Sequence, residues 1–226
     1  MNAKLTAALL IIAAVLANVG FTALGSIFNY PDVLDEPAGA VLADFRAHEG
    51  AVSAWFSVLA LSAALFAPIA ISVGRLSSSR AMRVAVPIGI AAAVVQVIGL
   101  LRWPLLVPGY AADGNADAFS TASDILGTAI GETLGYLLTA TWTVLVIVAL
   151  GRRYAGRWFQ VLGAVSATLV LAGVVSPLGL PVIDTANFFG YVLWSVWLIA
   201  FAVVILVHER RRSTVPASTS QSAVTA

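Results

Sequence analysis

Six uncharged or nearly uncharged apolar stretches decide what this chain can fold into: Leu5 to Phe28, Ala51 to Gly74, Val84 to Leu101, Gly127 to Leu150, Trp158 to Val175 and Phe188 to Val207. Each has 18 residues or more. At about 1.5 Å of rise per residue, that is enough for a helix to cross a hydrocarbon core of roughly 30 Å. Lipid offers no hydrogen bonds, so a spanning segment must satisfy its own backbone and becomes helical. A composition of 60% hydrophobic and 10% charged residues would leave a soluble domain of this size with apolar surface it has no means of covering. The expected fold is therefore all-α: a polytopic transmembrane bundle of six helices over residues 1–212. The remaining segment, 213–226 (STVPASTSQSAVTA), is low in complexity and reads as a disordered cytoplasmic tail. Met1 to Lys4 looks like the basic start of a secretory leader, but the apolar run behind it is too long and no small-residue cleavage pattern follows, so a retained helix is expected.

Charge orients the bundle. With the N-terminus in the cytoplasm, ten of the twelve Lys and Arg residues fall on that side, and only Arg46 and Arg102 lie opposite. The positive-inside bias thus puts both termini in the cytoplasm. The cytoplasmic links RLSSSRAMR and GRRYAGR are short, so the helices they join are antiparallel neighbours. The external links are longer. In NYPDVLDEPAGAVLADFRAHEG, Pro37 marks a helix start and Val41, Leu42 and Phe45 share one face, the pattern of an interfacial helix running into the second span. GYAADGNADAFSTASDI is small, polar and acidic, and is expected to be helical toward its end.

Two hairpins share wording. PLLVP (Pro104 to Pro108) closes the third span and PLGLP (Pro177 to Pro181) the fifth, while the fourth span carries GYLLTATW (Gly135 to Trp142) and the sixth GYVLWSVW (Gly190 to Trp197). Spans 3 and 4 therefore read as a parallel duplicate of spans 5 and 6. The alternative is that prolines and aromatics gather at any membrane interface.

Glu132 is the one ionisable group inside the fourth apolar run. Arg102 follows Arg83 by 19 positions and Glu132 precedes Arg152 by 20, which places both about 28 to 30 Å from the cytoplasmic basic flanks. A charge at mid-bilayer costs about 2.5 to 3.5 kcal/mol on insertion scales. A guanidinium beside a carboxylate offsets that cost, so an Arg102–Glu132 ion pair is the simplest expectation; the alternatives are an Arg102 that reaches for headgroups and a protonated Glu132. Asp124, Thr128, Glu132, Tyr136, Thr139 and Thr143 follow at steps of three or four, one face of an α-helix turned toward the bundle. Gly131 and Gly135 would let a neighbouring helix approach. In the proposed repeat, Asn187 stands for Glu132 and Tyr191 for Tyr136. The candidate ligand or ion-pair residues are thus Arg102, Glu132, Tyr136, Asp124, Thr128, Thr139, Asn187 and Tyr191. The tryptophans read as interface anchors and core fillers rather than a ligand cage.

Other chemistry finds little support. Without cysteine there is no disulfide, thiolate metal site or cysteine nucleophile. His48 and His208 lie on opposite sides of the membrane and do not make a zinc motif, Gly25–Ser26 is no nucleophile elbow, and no phosphate loop occurs. No catalytic residue, metal or cofactor is expected, and no nucleic acid, because the cytoplasmic arginines are explained by topology and anionic lipid.

NYPDVLDEPAG, LLRWPLLVPGYA, GETLGYLLTATW and GYVLWSVWLIA together carry a resemblance. The chain resembles a family of uncharacterised bacterial multi-pass membrane proteins classified only as a domain of unknown function. The resemblance implies six spans in a bacterial plasma (inner) membrane, with Arg102, Trp103, Gly131 and Glu132 in its motifs. It brings no activity.

Two functional expectations remain. In the first, the protein binds or transports a small solute or ion through an outward-facing polar cleft at Arg102 and Glu132. In the second it is a structural, sensory or partner-binding protein whose Arg102–Glu132 pair only locks helices. A membrane enzyme is the minor third. Membrane lipid is the one partner expected in every case; oligomeric state is not legible.

Overall fold

The computed structural model of the protein describes residues 2–213, so residues 214–226 of the tail lie outside the described residues. Six helices are long and apolar enough to cross a membrane: Ala3–Phe28, Ala38–Gly74, Arg80–Asp113, Ala116–Arg152, Tyr154–Leu178 and Val182–Arg211, here spans 1 to 6. No strand occurs among the described residues. The all-helical, six-span architecture is the one the apolar stretches dictate.

Local chemistry sets where the helices begin and end. Asn2 accepts from the Leu5 N–H at 3.1 Å and Ser79 from the Met82 N–H at 3.2 Å, each satisfying a donor that an opening helical turn leaves free. Between spans 4 and 5 the short link GRRYAGR turns at Gly151 (φ 65°) and Gly156 (φ 83°), where an L side chain would be strained. Span 2 starts directly after Pro37, with Val41, Leu42 and Phe45 buried on one face, and bends at His48, whose φ and ψ leave the helical region. It is interrupted again at Leu65, ahead of Pro68, whose ring meets the carbonyl four residues back.

The link between spans 3 and 4 is more helical than its polar sequence suggests. Span 3 breaks at Leu106, resumes as Val107–Asp113 and reverses at Gly114 (φ 65°). Asn115 then caps Ala116–Ala122 by accepting from the Ala118 N–H at 3.0 Å. The Arg46 guanidinium donates to the Ala111 carbonyl and so ties this helical hairpin to the outer part of span 2. Arg46, one of the two basic residues that the charge bias leaves in the minority, therefore has a structural role.

Span 1 packs against spans 2 and 6, and span 3 against spans 2 and 4. Span 6 also meets span 4 through the edge-on Trp142–Trp197 pair and span 5 through the stacked Phe159–Trp197 pair. Two aromatic cores result. One gathers Phe66, Trp142, Phe159, Trp197 and Phe201; the other gathers Phe28, Phe45, Phe56, Trp103 and Phe119, with Phe56 stacked on Trp103 at 4.6 Å. Trp103, Trp142 and Trp197 are fully buried, whereas Trp158, near the start of span 5, is exposed.

The two hairpins also share a packing contact. A Cβ on Gly135 would stand 2.9 Å from Gln96 Cγ, and one on Gly190 would stand 2.6 Å from the Val170 backbone N and 2.8 Å from Leu169 Cβ. Aligning Pro104 with Pro177 and Gly135 with Gly190 sets Gln96 opposite Leu169, so equivalent residues touch in both.

Candidate functional site

A glycine ladder brings spans 3 and 4 together. Gly127, Gly131 and Gly135 face Arg102, Gly99 and Gln96 respectively, an antiparallel register in which the backbones nearly touch: a Cβ on Gly99 would lie 2.6 Å from Gly131 Cα. Small residues at this spacing are how helices approach closely in lipid. The anticipated role of Gly131 and Gly135 is present, and Gly127 joins them.

At this seam span 4 is not an α-helix. Ser123–Leu134 forms a π-helix that becomes α-helical at Gly135. Its i→i+5 bonding puts more residues in each turn, so a four-residue step falls short of a full turn instead of overshooting it. The polar residues expected on one α-helical face therefore diverge. Asp124 is exposed and Thr128 half-buried, while Thr139 and Thr143 are buried in the bundle. The single stripe holds only from Glu132 inward.

The inner part of the stripe is consumed by the fold. Thr139 Oγ1 accepts from Gln96 Nε2 at 3.0 Å. Thr143 Oγ1 donates to the Thr139 carbonyl at 2.9 Å and accepts from Trp194 Nε1 at 2.8 Å. Asn187 is buried and donates from Nδ2 to the Val170 carbonyl at 2.8 Å, just before span 5 tightens into the 3-10 helix Gly173–Leu178.

The outer part is different. Arg102 is 6% exposed, and its Nη1 donates to the Gly99 carbonyl at 2.6 Å in the last turn of its helix. Its guanidinium lies against the bare backbone of Gly127 and 5.3 Å from the Trp103 ring centroid, while Nε has no hydrogen-bond partner. Arg102 is in electrostatic range of Glu132, Tyr30 and Tyr136. Yet Arg102 and Glu132 form neither a direct ion pair nor a hydrogen bond to each other among the described residues. The guanidinium lies against Gly127, about one turn before Glu132 along the chain, so the equal depth expected from residue count does not become contact.

Tyrosines complete the cluster. Tyr136 and Tyr191 meet edge to face at 5.7 Å, and both interact electrostatically with Glu132 and with Tyr30. Tyr30, in the loop after span 1, packs edge-on against Phe56. Burial and the Glu132 charge push the Tyr30 hydroxyl above the usual tyrosine range, against the opposing pull of Arg102. Asp184, exposed at the start of span 6, interacts electrostatically with Glu132 and Tyr136. The structure thus gathers Arg102, Glu132, Tyr136, Asn187 and Tyr191 near one another and leaves Asp124 aside. Sequence reasoning missed Tyr30 and Gln96: the first reaches the site from a loop, and the second is an isolated amide in span 3 whose partner lies across the seam.

Over residues 5–202 the chain matches the family described as a domain of unknown function (DUF4386). No curated protein and no solved structure matches it. The chain belongs to the DUF4386 family, of which the stretch matched spans nearly all six helices.

Proposed function

We infer that this multi-pass membrane protein binds a small polar solute or ion at the Arg102–Glu132–tyrosine cluster and moves it through a cleft that opens outward. One observation carries the reading: Arg102 and Glu132 do not touch, and Arg102 Nε is buried without a partner. A lock between helices gains its stability by closing the ion pair, and removing one partner of a closed pair is what makes such locks costly to break. Two opposite charges held close but unjoined are the arrangement of a site that something else completes.

The π-helix supports the same reading. Irregular backbone is tolerated at membrane depth where it is packed in protein or faces a cavity, and π segments are frequent at functional sites. We place both termini in the cytoplasm on the strength of the basic residues clustered on one side, and the protein in a bacterial plasma membrane on the strength of the family resemblance alone. The cluster then lies toward the outer face.

Because the chain has no cysteine, single cysteines test whether water reaches the site. Cysteines at Tyr136 and Asn187 are expected to label with a membrane-impermeant thiol reagent added outside intact cells. A cysteine at Val148, on a lipid-facing surface of span 4, serves as the unlabelled control. Labelling at Tyr136 and Asn187 no greater than at Val148 overturns the outward-opening cleft. Labelling of a cysteine at Ser78 from outside overturns the orientation.

A further inference from the structure

The charges in the cluster constrain the kind of ligand that completes it, provided the cluster is the solute site inferred above. Arg102 and Glu132 are of opposite sign, lie in electrostatic range and do not neutralise each other by contact. A lone anion drawn to Arg102 would enter the field of Glu132, and a lone cation drawn to Glu132 would enter that of Arg102. Either would also add one uncompensated charge to a buried, low-dielectric region. A ligand carrying both signs adds none.

We propose that the site takes a small zwitterion with a primary ammonium and an oxyanion on one short skeleton. The oxyanion meets Arg102, whose Nε is buried and unpartnered while Nη1 is held by the Gly99 carbonyl. The bare backbone at Gly127 lets the guanidinium lie flat, with no side chain between it and span 4. The ammonium meets Glu132, whose carboxylate only accepts hydrogen bonds and therefore calls for a cation with N–H groups. Asp184, exposed at the start of span 6 and therefore screened by solvent, leaves the buried balance unchanged and at most favours the ammonium at the Glu132 end. The hydroxyls of Tyr30 and Tyr136 both donate and accept, which suits a ligand with an acceptor end and a donor end, while that of Tyr191 is engaged by the Thr139 side chain.

This chemistry has two natural sources, a free amino acid and the headgroup of an aminophospholipid. Purified full-length protein in phosphatidylcholine nanodiscs is titrated with glycine and with glycerophosphoethanolamine, whose phosphodiester carries one negative charge like the lipid headgroup, and with ethanolamine, acetate and glycine betaine as single-charge and quaternary controls. Binding is read by heat of titration and by the rise in unfolding temperature. At least one of the two zwitterions is expected to bind saturably and at least tenfold more tightly than every control. Glu132→Gln and Arg102→Gln are each expected to abolish that preference.

Phosphatidylethanolamine that stays bound to the wild type and not to Glu132→Gln in native mass spectrometry identifies the lipid as source. Glycine binding without retained lipid identifies the free solute. Both support the zwitterion. Tight binding of ethanolamine, acetate or glycine betaine equal to that of the zwitterions overturns it while leaving a solute site in place. Failure of every probe together with no retained lipid also overturns it, and the cysteine labelling separately decides whether the cleft exists.

Discussion

Replacing Gly99 with alanine tests the backbone seam that holds the site. The new Cβ would lie 2.6 Å from Gly131 Cα and 3.0 Å from the Leu126 carbonyl oxygen. Carbon atoms rest about 3.5–4.0 Å apart, so spans 3 and 4 must part locally by about 1 Å. Both obstacles are backbone, and no side chain can rotate out of the way. Overpacking of this kind costs about 1–3 kcal/mol. Alanine recovers about 0.5–1 kcal/mol over glycine inside a helix, which leaves a net loss of about 1–2 kcal/mol.

Gly50 supplies the control. A Cβ there meets nothing within 4 Å, so Gly50→Ala should keep the helical gain and stabilise by about 0.5–1 kcal/mol. The two variants should therefore differ by about 2 kcal/mol, roughly a thirtyfold change in the unfolding equilibrium. Unfolding in mixed micelles with increasing dodecyl sulfate, followed by tryptophan fluorescence, measures the difference. Gly135→Ala should fall between them, because its Cβ meets Gln96 Cγ at 2.9 Å and that side chain can move. A Gly99→Ala protein as stable as Gly50→Ala would show that the seam is not a backbone contact and that the site is assembled in some other way.

The open ion pair makes a second prediction by the same assay. Glu132→Gln should leave stability within about 1 kcal/mol of wild type, whereas breaking a closed buried pair costs about 3–5 kcal/mol; a loss in that higher range would restore the lock. Trp194→Phe and Thr143→Val each remove the 2.8 Å bond between spans 4 and 6. The double variant should then cost about 1 kcal/mol less than the sum of the singles, and strict additivity would refute the bond. For Tyr30 the folded protein favours the neutral hydroxyl, so the unfolded chain ionises first as pH rises. Its contribution is fully present below about pH 10 and lost above it, and Tyr30→Phe should fall less steeply between pH 9 and 11 on the approximate scale of ordinary tyrosine ionisation. A steeper fall for Tyr30→Phe would reverse the sign and sink the argument.

The spans were legible because lipid leaves an apolar segment few options. The buried face of the first external helix was legible too, since Val41, Leu42 and Phe45 repeat at helical spacing. The π-helix was not. Gly127, Gly131 and Gly135 recur every four residues, a period that an α-helix and a π-helix both accept, and apolar neighbours give no sharper clock. Residue counting set Arg102 and Glu132 at one depth, whereas the seam pairs Gly99 with Gly131 and Arg102 with Gly127, about one turn away from Glu132. Tyr30 enters the site from a loop, and no periodicity reports on a loop.

The second hairpin is a built-in comparison for the first. Gly135 against Gln96 and Gly190 against Leu169 stand at aligned positions, although Gly135 meets a side chain and Gly190 comes nearest the backbone of Val170. From those positions their outer ends depart in opposite directions. Span 5 tightens into a 3-10 turn at Gly173, and Asn187 spends its amide on the Val170 carbonyl beside it. Span 4 loosens into a π-helix, and Glu132, the counterpart of Asn187, has no direct hydrogen bond or ion pair among the described residues. The polar residue that stabilises one hairpin is left unspent in the other, near an arginine whose Nε is equally unspent. If the two hairpins served only to pack, the closed arrangement in spans 5 and 6 would suffice for both. On the proposed reading, the widened helix is the feature that converts a packing position into a place for a ligand.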